Sequence, residues 1–199
     1  HDLLPNESLL YFGDTAHLPY GEKSPELIRR YSSRITKHLV ASGCKAIVVA
    51  CNSASSNALD AIIEAAGSDI PVIDMVTPVV RDIVESGSSI NVGLIGTRAT
   101  IASGLYKSNF DKINSSITLV SRATPLLASA IEEGFFNDSI PGAVLEAYFA
   151  DNSFDFIDYM ILGCTHYPLV RSEVQALLPV GVKVIDSPEI VSRELKRVL

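Results

Sequence analysis

In "LGCTHYPL", Cys164 closes an apolar run and His166 stands two residues later, across Thr165. A thiol near an imidazole can be core packing, part of a metal site, or a nucleophile or proton carrier with its base. A second cysteine has a matching setting. "AIVVACNSAS" and "YMILGCTHYP" each run from an apolar strand through Ala or Gly to Cys, then to hydrogen-bonding residues and a helix start. A lone cysteine after a buried strand is ordinarily a small core residue. Two of them, Cys51 and Cys164, at equivalent strand ends in the two halves of the chain favour chemistry over packing. At a helix N-terminus the dipole and free N–H groups favour the thiolate. Two such thiols facing each other across a cleft can exchange a proton with one carbon from opposite sides. Metal binding is the weaker reading, because Cys51, Cys164 and His166 offer three ligands at most and no CxxC or HxxxH spacing supports them. Thiol–disulfide exchange would prefer a Cys-X-X-Cys pair, which is absent. Cys44, after Gly43 at a strand start, reads as packing.

Short apolar runs must carry these residues: Leu9–Phe12, Ala46–Ala50, Val72–Met75, Val92–Ile95, Ile117–Val120, Tyr159–Leu162 and Val182–Ile185. Most are continuous rather than alternating, as parallel strands covered on both faces require. Ser24-Pro25, Thr77-Pro78, Thr124-Pro125 and Ser187-Pro188 each place a capping hydroxyl before a proline and predict helix starts. Gly43, Gly67, Gly87 and Gly134 fall where helices should stop. Leu27, Ile28, Tyr31, Ile35 and Leu39 form an apolar stripe at helical spacing. Such alternation predicts a parallel α/β fold. Ligands then bind at the carboxyl ends of strands, in "FGDTAHLPYG", "ACNSAS", "IGTRAT" and "GCTHYP". Small and hydroxyl residues beside helix N-termini can hold a carboxylate there without lysine or arginine. A dinucleotide fingerprint and a P-loop are both absent, so the site suits a small anion rather than a nucleotide.

The 199 residues are 47% hydrophobic, enough for a real core, and carry a net charge of -7. An acidic surface repels phosphate backbones, so no nucleic-acid partner is expected. No apolar run approaches a membrane span, and no signal peptide is visible. Three cysteines without framework spacing predict a reducing, cytoplasmic setting.

The chain resembles the cofactor-independent aspartate/glutamate racemases, and within them the glutamate racemase branch. "GDTAHLPYG", "VVACNSAS", "EEG" and "LGCTHYPL" carry the likeness in the same order, over nearly the whole chain from about Leu9. The resemblance implies two pseudo-symmetric parallel-sheet α/β domains with the active site in the cleft between them. One would span residues 1–80 plus about 190–199, the other 81–190. It implies interconversion of L- and D-glutamate without cofactor or metal, supplying D-glutamate for peptidoglycan, by a homodimer. Cys51 and Cys164 would be the two acid/bases, one abstracting the α-proton and the other returning a proton to the opposite face. His166 and Glu132 match residues that assist the second cysteine. Asn52, Ser53, Thr165, Pro19, Tyr20 and Gly21 match substrate-binding positions, and Thr97 and Thr100 add carboxylate contacts. Glu132 would otherwise read as a solvated helix-end carboxylate, His17 as an exposed loop residue and His38 as a solvated helix residue.

The pattern departs from the family in places. Ser53 stands where the family has threonine, keeping the hydroxyl. An Asp-Ser-Gly strand that opens the family, aiding the first cysteine and the substrate, does not precede "YFGDTAH". The family also runs beyond the point matching Leu199. The expectation is therefore an internal portion of a racemase, weakly active or inactive alone. Aspartate racemase is the nearest alternative, and a non-catalytic protein holding a small dicarboxylate is the rival of another class. His166 and the Pro19-Tyr20-Gly21 loop favour glutamate over aspartate, and two retained cysteines count against a degenerate copy.

Overall fold

The hydroxyl of Ser24 accepts the N–H of Leu27, and Pro25 opens helix α1 (Pro25–Ala41), as the sequence predicts. The other three Ser/Thr-Pro starts are not capped by their own hydroxyls. Helix α3 (Thr77–Glu85) includes Thr77, and its first N–H groups are taken by the buried Asp74 carboxylate: Oδ1 accepts from Val76 at 2.6 Å and from Thr77 at 2.8 Å. Helix α9 (Ser187–Val198) includes Ser187 and is capped by Asp186, which accepts from Glu189. Thr124 flanks helix α6 (Pro125–Glu132), but its hydroxyl bonds Tyr167 instead. A carboxylate accepts more strongly than a hydroxyl, so nearby aspartates displace the expected caps.

The computed structural model describes residues 3–87, 89–137 and 139–199. Among them lie two parallel sheets. Strands β1 (Ile47–Val48) and β2 (Val72–Ile73) form the smaller one. Helix α2 (Asn52–Ala66) connects them and packs against α1. The larger sheet has the order β4-β3-β5-β6, from β3 (Asn91–Gly96), β4 (Thr118–Ala123), β5 (Tyr159–Gly163) and β6 (Lys183–Val184). Helices α4 (Arg98–Ala102) and α5 (Leu105–Ile113) link β3 to β4. Helices α6 and α7 (Ile140–Phe149) link β4 to β5, and α8 (Arg171–Leu177) links β5 to β6.

Side chains of the larger sheet divide by the two-residue period of a strand. Ile95, Met160 and Leu162 pack with Leu127, Leu145 and Val174 on one face, whereas Val92, Leu94 and Ile161 pack with Val79, Phe110 and Ile190 on the other. Both faces are therefore covered by helices, which explains the unbroken apolar runs. Ile28, Ile47, Ala58 and Ile62 form a third core around the smaller sheet, with Cys44 against it as expected. The buried stripe of α1 is narrower than the sequence indicates, with Ile28, Ser32 and Thr36 buried and Leu27 exposed.

The run Leu9–Phe12 is not a strand. It has no ladder partner among the described residues, and Tyr11 is 87% exposed. Hydrophobicity alone does not make a strand; a neighbouring backbone must take its hydrogen bonds.

The chain leaves β3 for β4 on one side and returns to β5 on the other. Connections from β3 and β5 thus diverge, opening a crevice at their carboxyl ends. Gly96 and Gly163 are register partners there. A Cβ on Gly163 would lie 2.8 Å from the carbonyl oxygen of Ile95, so only glycine lets these strand ends approach. Thr97 and Cys164 follow directly.

Candidate active site

Cys164 leaves β5 into a bend rather than an α-helix; a 3-10 turn, Tyr167–Val170, intervenes before α8. Its Sγ lies 3.4 Å from His166 Nδ1. On the other side of the imidazole, Nε2 is paired with the Glu132 carboxylate at the end of α6. A carboxylate on Nε2 fixes the tautomer with the proton on that nitrogen, leaving Nδ1 free to accept the thiol proton. The three residues come from two segments, the turn after β5 and the end of α6, and form one chain of proton-carrying groups. His166 and Glu132 are half-exposed, so this chain reaches solvent.

Cys51 is the residue before α2, at the helix N-terminus. Dense packing pushes its thiol above the ordinary value, against the pull of the Ala54 and Ser53 amides. Burial likewise pushes Cys164 up to about 12, and its neighbours Cys51 and Glu132 add to the rise. The amides of His166 and Tyr167 act the other way. The sequence-based expectation that a helix start favours the thiolate is thus outweighed, because a desolvated sulfur anion loses more than two backbone donors return.

Ser53, Thr97 and Thr100 converge between the two sheets. Ser53 Oγ is 2.8 Å from Thr97 Oγ1 and 3.4 Å from Thr100 Oγ1, with 3.0 Å between the two threonine oxygens. All three are buried. Gly21 packs onto Thr97, where a Cβ would lie 2.6 Å from the threonine Cβ. Tyr20, like Cys51, packs against the core around the smaller sheet, and its hydroxyl donates to Asp14 at 2.6 Å. Pro19, immediately before it, and Thr165, beside Cys164, are exposed. Asn52 is buried next to Cys51.

Asp14 and Tyr106 carry no expectation from the sequence, and His17 carries only that of an exposed loop residue. Asp14 accepts from Tyr20 and pairs with His17 at 2.7 Å, and His17 stacks on Tyr31 at 3.9 Å between centroids. Burial raises the Asp14 pKa, but the bonds from Tyr20 and His17 win and hold it below its usual value. His17 is therefore part of a cluster rather than a bare loop residue. Its place in "GDTAHLPYG" was the available signal. Tyr106, which donates to Asn52 at 2.7 Å, had none.

Among the described residues, no three of His, Cys, Asp and Glu come together as metal ligands. A surface hollow of about 400 Å³ lined by Asp155, Asp158 and Gly181 lies at the opening ends of β5 and β6, away from these side chains. None of the described helices is long and apolar enough to cross a membrane.

Comparison with known proteins gives this geometry a context. Residues 1–195 match the model of the Asp/Glu/Hydantoin racemase family. Glutamate racemase of Thermus thermophilus is 42% identical over 197 residues, 99% of this chain and 72% of that protein. The Geobacter metallireducens glutamate racemase is 38% identical over 196 residues, covering 98% and 72% respectively. The crystal structure of the Francisella tularensis glutamate racemase, in complex with D-glutamate, superposes with a TM-score of 0.91 at 37% identity, over 100% of this chain and 73% of that one. With paired cysteines at matching strand ends and a sequence and fold shared throughout, the chain belongs to the Asp/Glu/hydantoin racemase family.

Proposed function

We propose that the protein is a glutamate racemase, interconverting L- and D-glutamate and so supplying D-glutamate for peptidoglycan, with Cys51 and Cys164 as its proton carriers. The Cys164–His166–Glu132 chain, in a protein with a second cysteine at a matching strand end, is the observation that carries this reading. In each turnover one sulfur, as thiolate, takes the α-proton, and the other, as thiol, gives its proton to the opposite face of the planar carbanion. The enzyme ends with the two protonation states exchanged. Two carriers are needed because each face of the carbon requires its own group in hydrogen-bond reach. Both thiols rest protonated, so deprotonation requires a partner; His166 Nδ1 is that partner for Cys164, with Glu132 stabilising the imidazolium. Asn52 and the hydroxyls of Ser53, Thr97 and Thr100 would hold substrate carboxylates, with Pro19, Tyr20, Gly21 and Thr165 completing the substrate contacts.

The family likeness extends the proposal to two domains, 1–80 with about 190–199 and 81–190, and to a cytoplasmic homodimer. Packing of α9 residues Val191 and Leu195 against Ile73 and Met75 supports the return of the last helix to the first domain. Light scattering reads the oligomeric state. The reaction is tested with Cys51→Ser and Cys164→Ser, following racemisation and exchange of the α-proton with solvent for glutamate and aspartate. Each variant should lose racemisation while binding partly survives. Near-normal turnover in either would overturn the two-thiol mechanism, and faster exchange with aspartate would overturn the substrate.

A further inference from the structure

Tyr106, the second residue of α5, is 1% exposed and wedged among Val79, Val80, Ile83 and Phe110. It plays no part in the proton transfers above. Its hydroxyl nevertheless crosses from the helices of the larger sheet to the first residue of α2, donating to Asn52 Oδ1 at 2.7 Å. Asn52 is itself 3% exposed, and its Nδ2 has no hydrogen-bond partner among the described residues. Native proteins rarely leave a buried amide donor unpaired unless something else fills the place.

The direction of the Tyr106–Asn52 bond decides what is left over. A primary amide has one acceptor atom and one atom bearing two donors. Burial raises the Tyr106 phenol well above its ordinary value, with the Asp74 charge adding to it, so the hydroxyl keeps its proton at any working pH. That proton needs an acceptor, and Asn52 Oδ1 is the one in reach. Reversing the amide would strand both the phenol proton and the carbonyl oxygen. The amide is therefore locked with its buried NH2 group outstanding, on the residue that joins Cys51 to Ser53.

We propose that Tyr106 is a positioning residue that orients the Asn52 amide so that its NH2 group donates to a carboxylate oxygen of the substrate. The proposal rests on the reading of Asn52 as a substrate contact and adds the residue that determines which end of the amide the substrate meets. Without the phenol the buried carbonyl oxygen loses its donor, and an amide turned the other way would set that oxygen against the carboxylate. A locked donor excludes that arrangement.

The test is the kinetics of Tyr106→Phe, Asn52→Ala and the double variant with both glutamate enantiomers, alongside circular dichroism and thermal melting. Tyr106→Phe should raise KM about tenfold with kcat within about twofold, the signature of lost ground-state binding. Asn52→Ala should raise KM at least as much, and Tyr106→Phe should add nothing on top of it. If Asn52→Ala raises KM while Tyr106→Phe does not, or Tyr106→Phe lowers only kcat in step with its unfolded fraction, the positioning role is overturned. An unchanged KM in Asn52→Ala would instead sink the substrate contact beneath it. Should Tyr106→Phe fail to fold, Asn52→Asp decides. It keeps an acceptor for Tyr106 but replaces the donor with oxygen, so a rise in KM of about tenfold or more supports the proposal and an unchanged KM overturns it.

Discussion

Backbone N–H groups pull both thiols down, at a helix start for Cys51 and in the bend and 3-10 turn after Cys164, yet both are raised because burial dominates. The consequence is measurable. Moving Cys164 from an ordinary 9.0 to about 12 cuts its thiolate fraction near neutral pH by about a thousandfold. Alkylation of Cys164 by iodoacetamide at neutral pH should therefore be far slower than that of a free thiol, and should climb as pH rises from 9 towards 12. Fast modification at neutral pH would contradict the burial argument. Glu132→Gln removes the anion that holds the His166 tautomer and stabilises its charged form. We expect kcat to fall by about 10–100-fold. The fall in kcat/KM must be equal for L- and D-glutamate, because the equilibrium between enantiomers is fixed. Primary isotope effects with α-deuterated substrates should diverge between the two, since only one face depends on Cys164.

Helix starts illustrate how an element is decided by more than its own first residues. Asp74 takes two N–H groups at the start of α3 from a buried position, a task the sequence alone assigns to Thr77. Asp74→Ala should cost about 2 kcal/mol, the upper end for a lost cap. A urea titration reads it as a lowered midpoint with unchanged slope. A loss below half a kcal/mol would show that water replaces the carboxylate. The strand ends make a parallel point. Gly96-Thr97 and Gly163-Cys164 meet because neither glycine has a side chain to separate the backbones. The motif "LGCTHYPL" shows a glycine before the cysteine without showing that it faces another glycine.

Across the whole molecule, the two sheets are joined by polar contacts that are also candidate binding groups. Ser53 on α2 meets Thr97 and Thr100 on the far side, and Asn52 meets Tyr106. Shared hydroxyl bonds of this kind should be energetically coupled. In a double-mutant cycle on stability, Ser53→Ala and Thr97→Val should show a coupling of about 1 kcal/mol. Strict additivity would mean that the two halves fold without sensing this contact.

The alternation of apolar runs and proline-marked helix starts was legible because parallel strands and first helical turns impose local rules on residue type. The cysteine pair, His166 and the hydroxyl residues were legible because strand carboxyl ends are where an α/β fold collects them. Leu9–Phe12 misled for the same reason: apolar character is local, whereas a strand exists only beside another backbone. The raised thiols, the Glu132–His166 pairing and the Tyr106–Asn52 bond belong to the tertiary structure alone. Each depends on how deeply a group is buried and which distant group it meets, and neither quantity is carried by neighbouring residues in sequence.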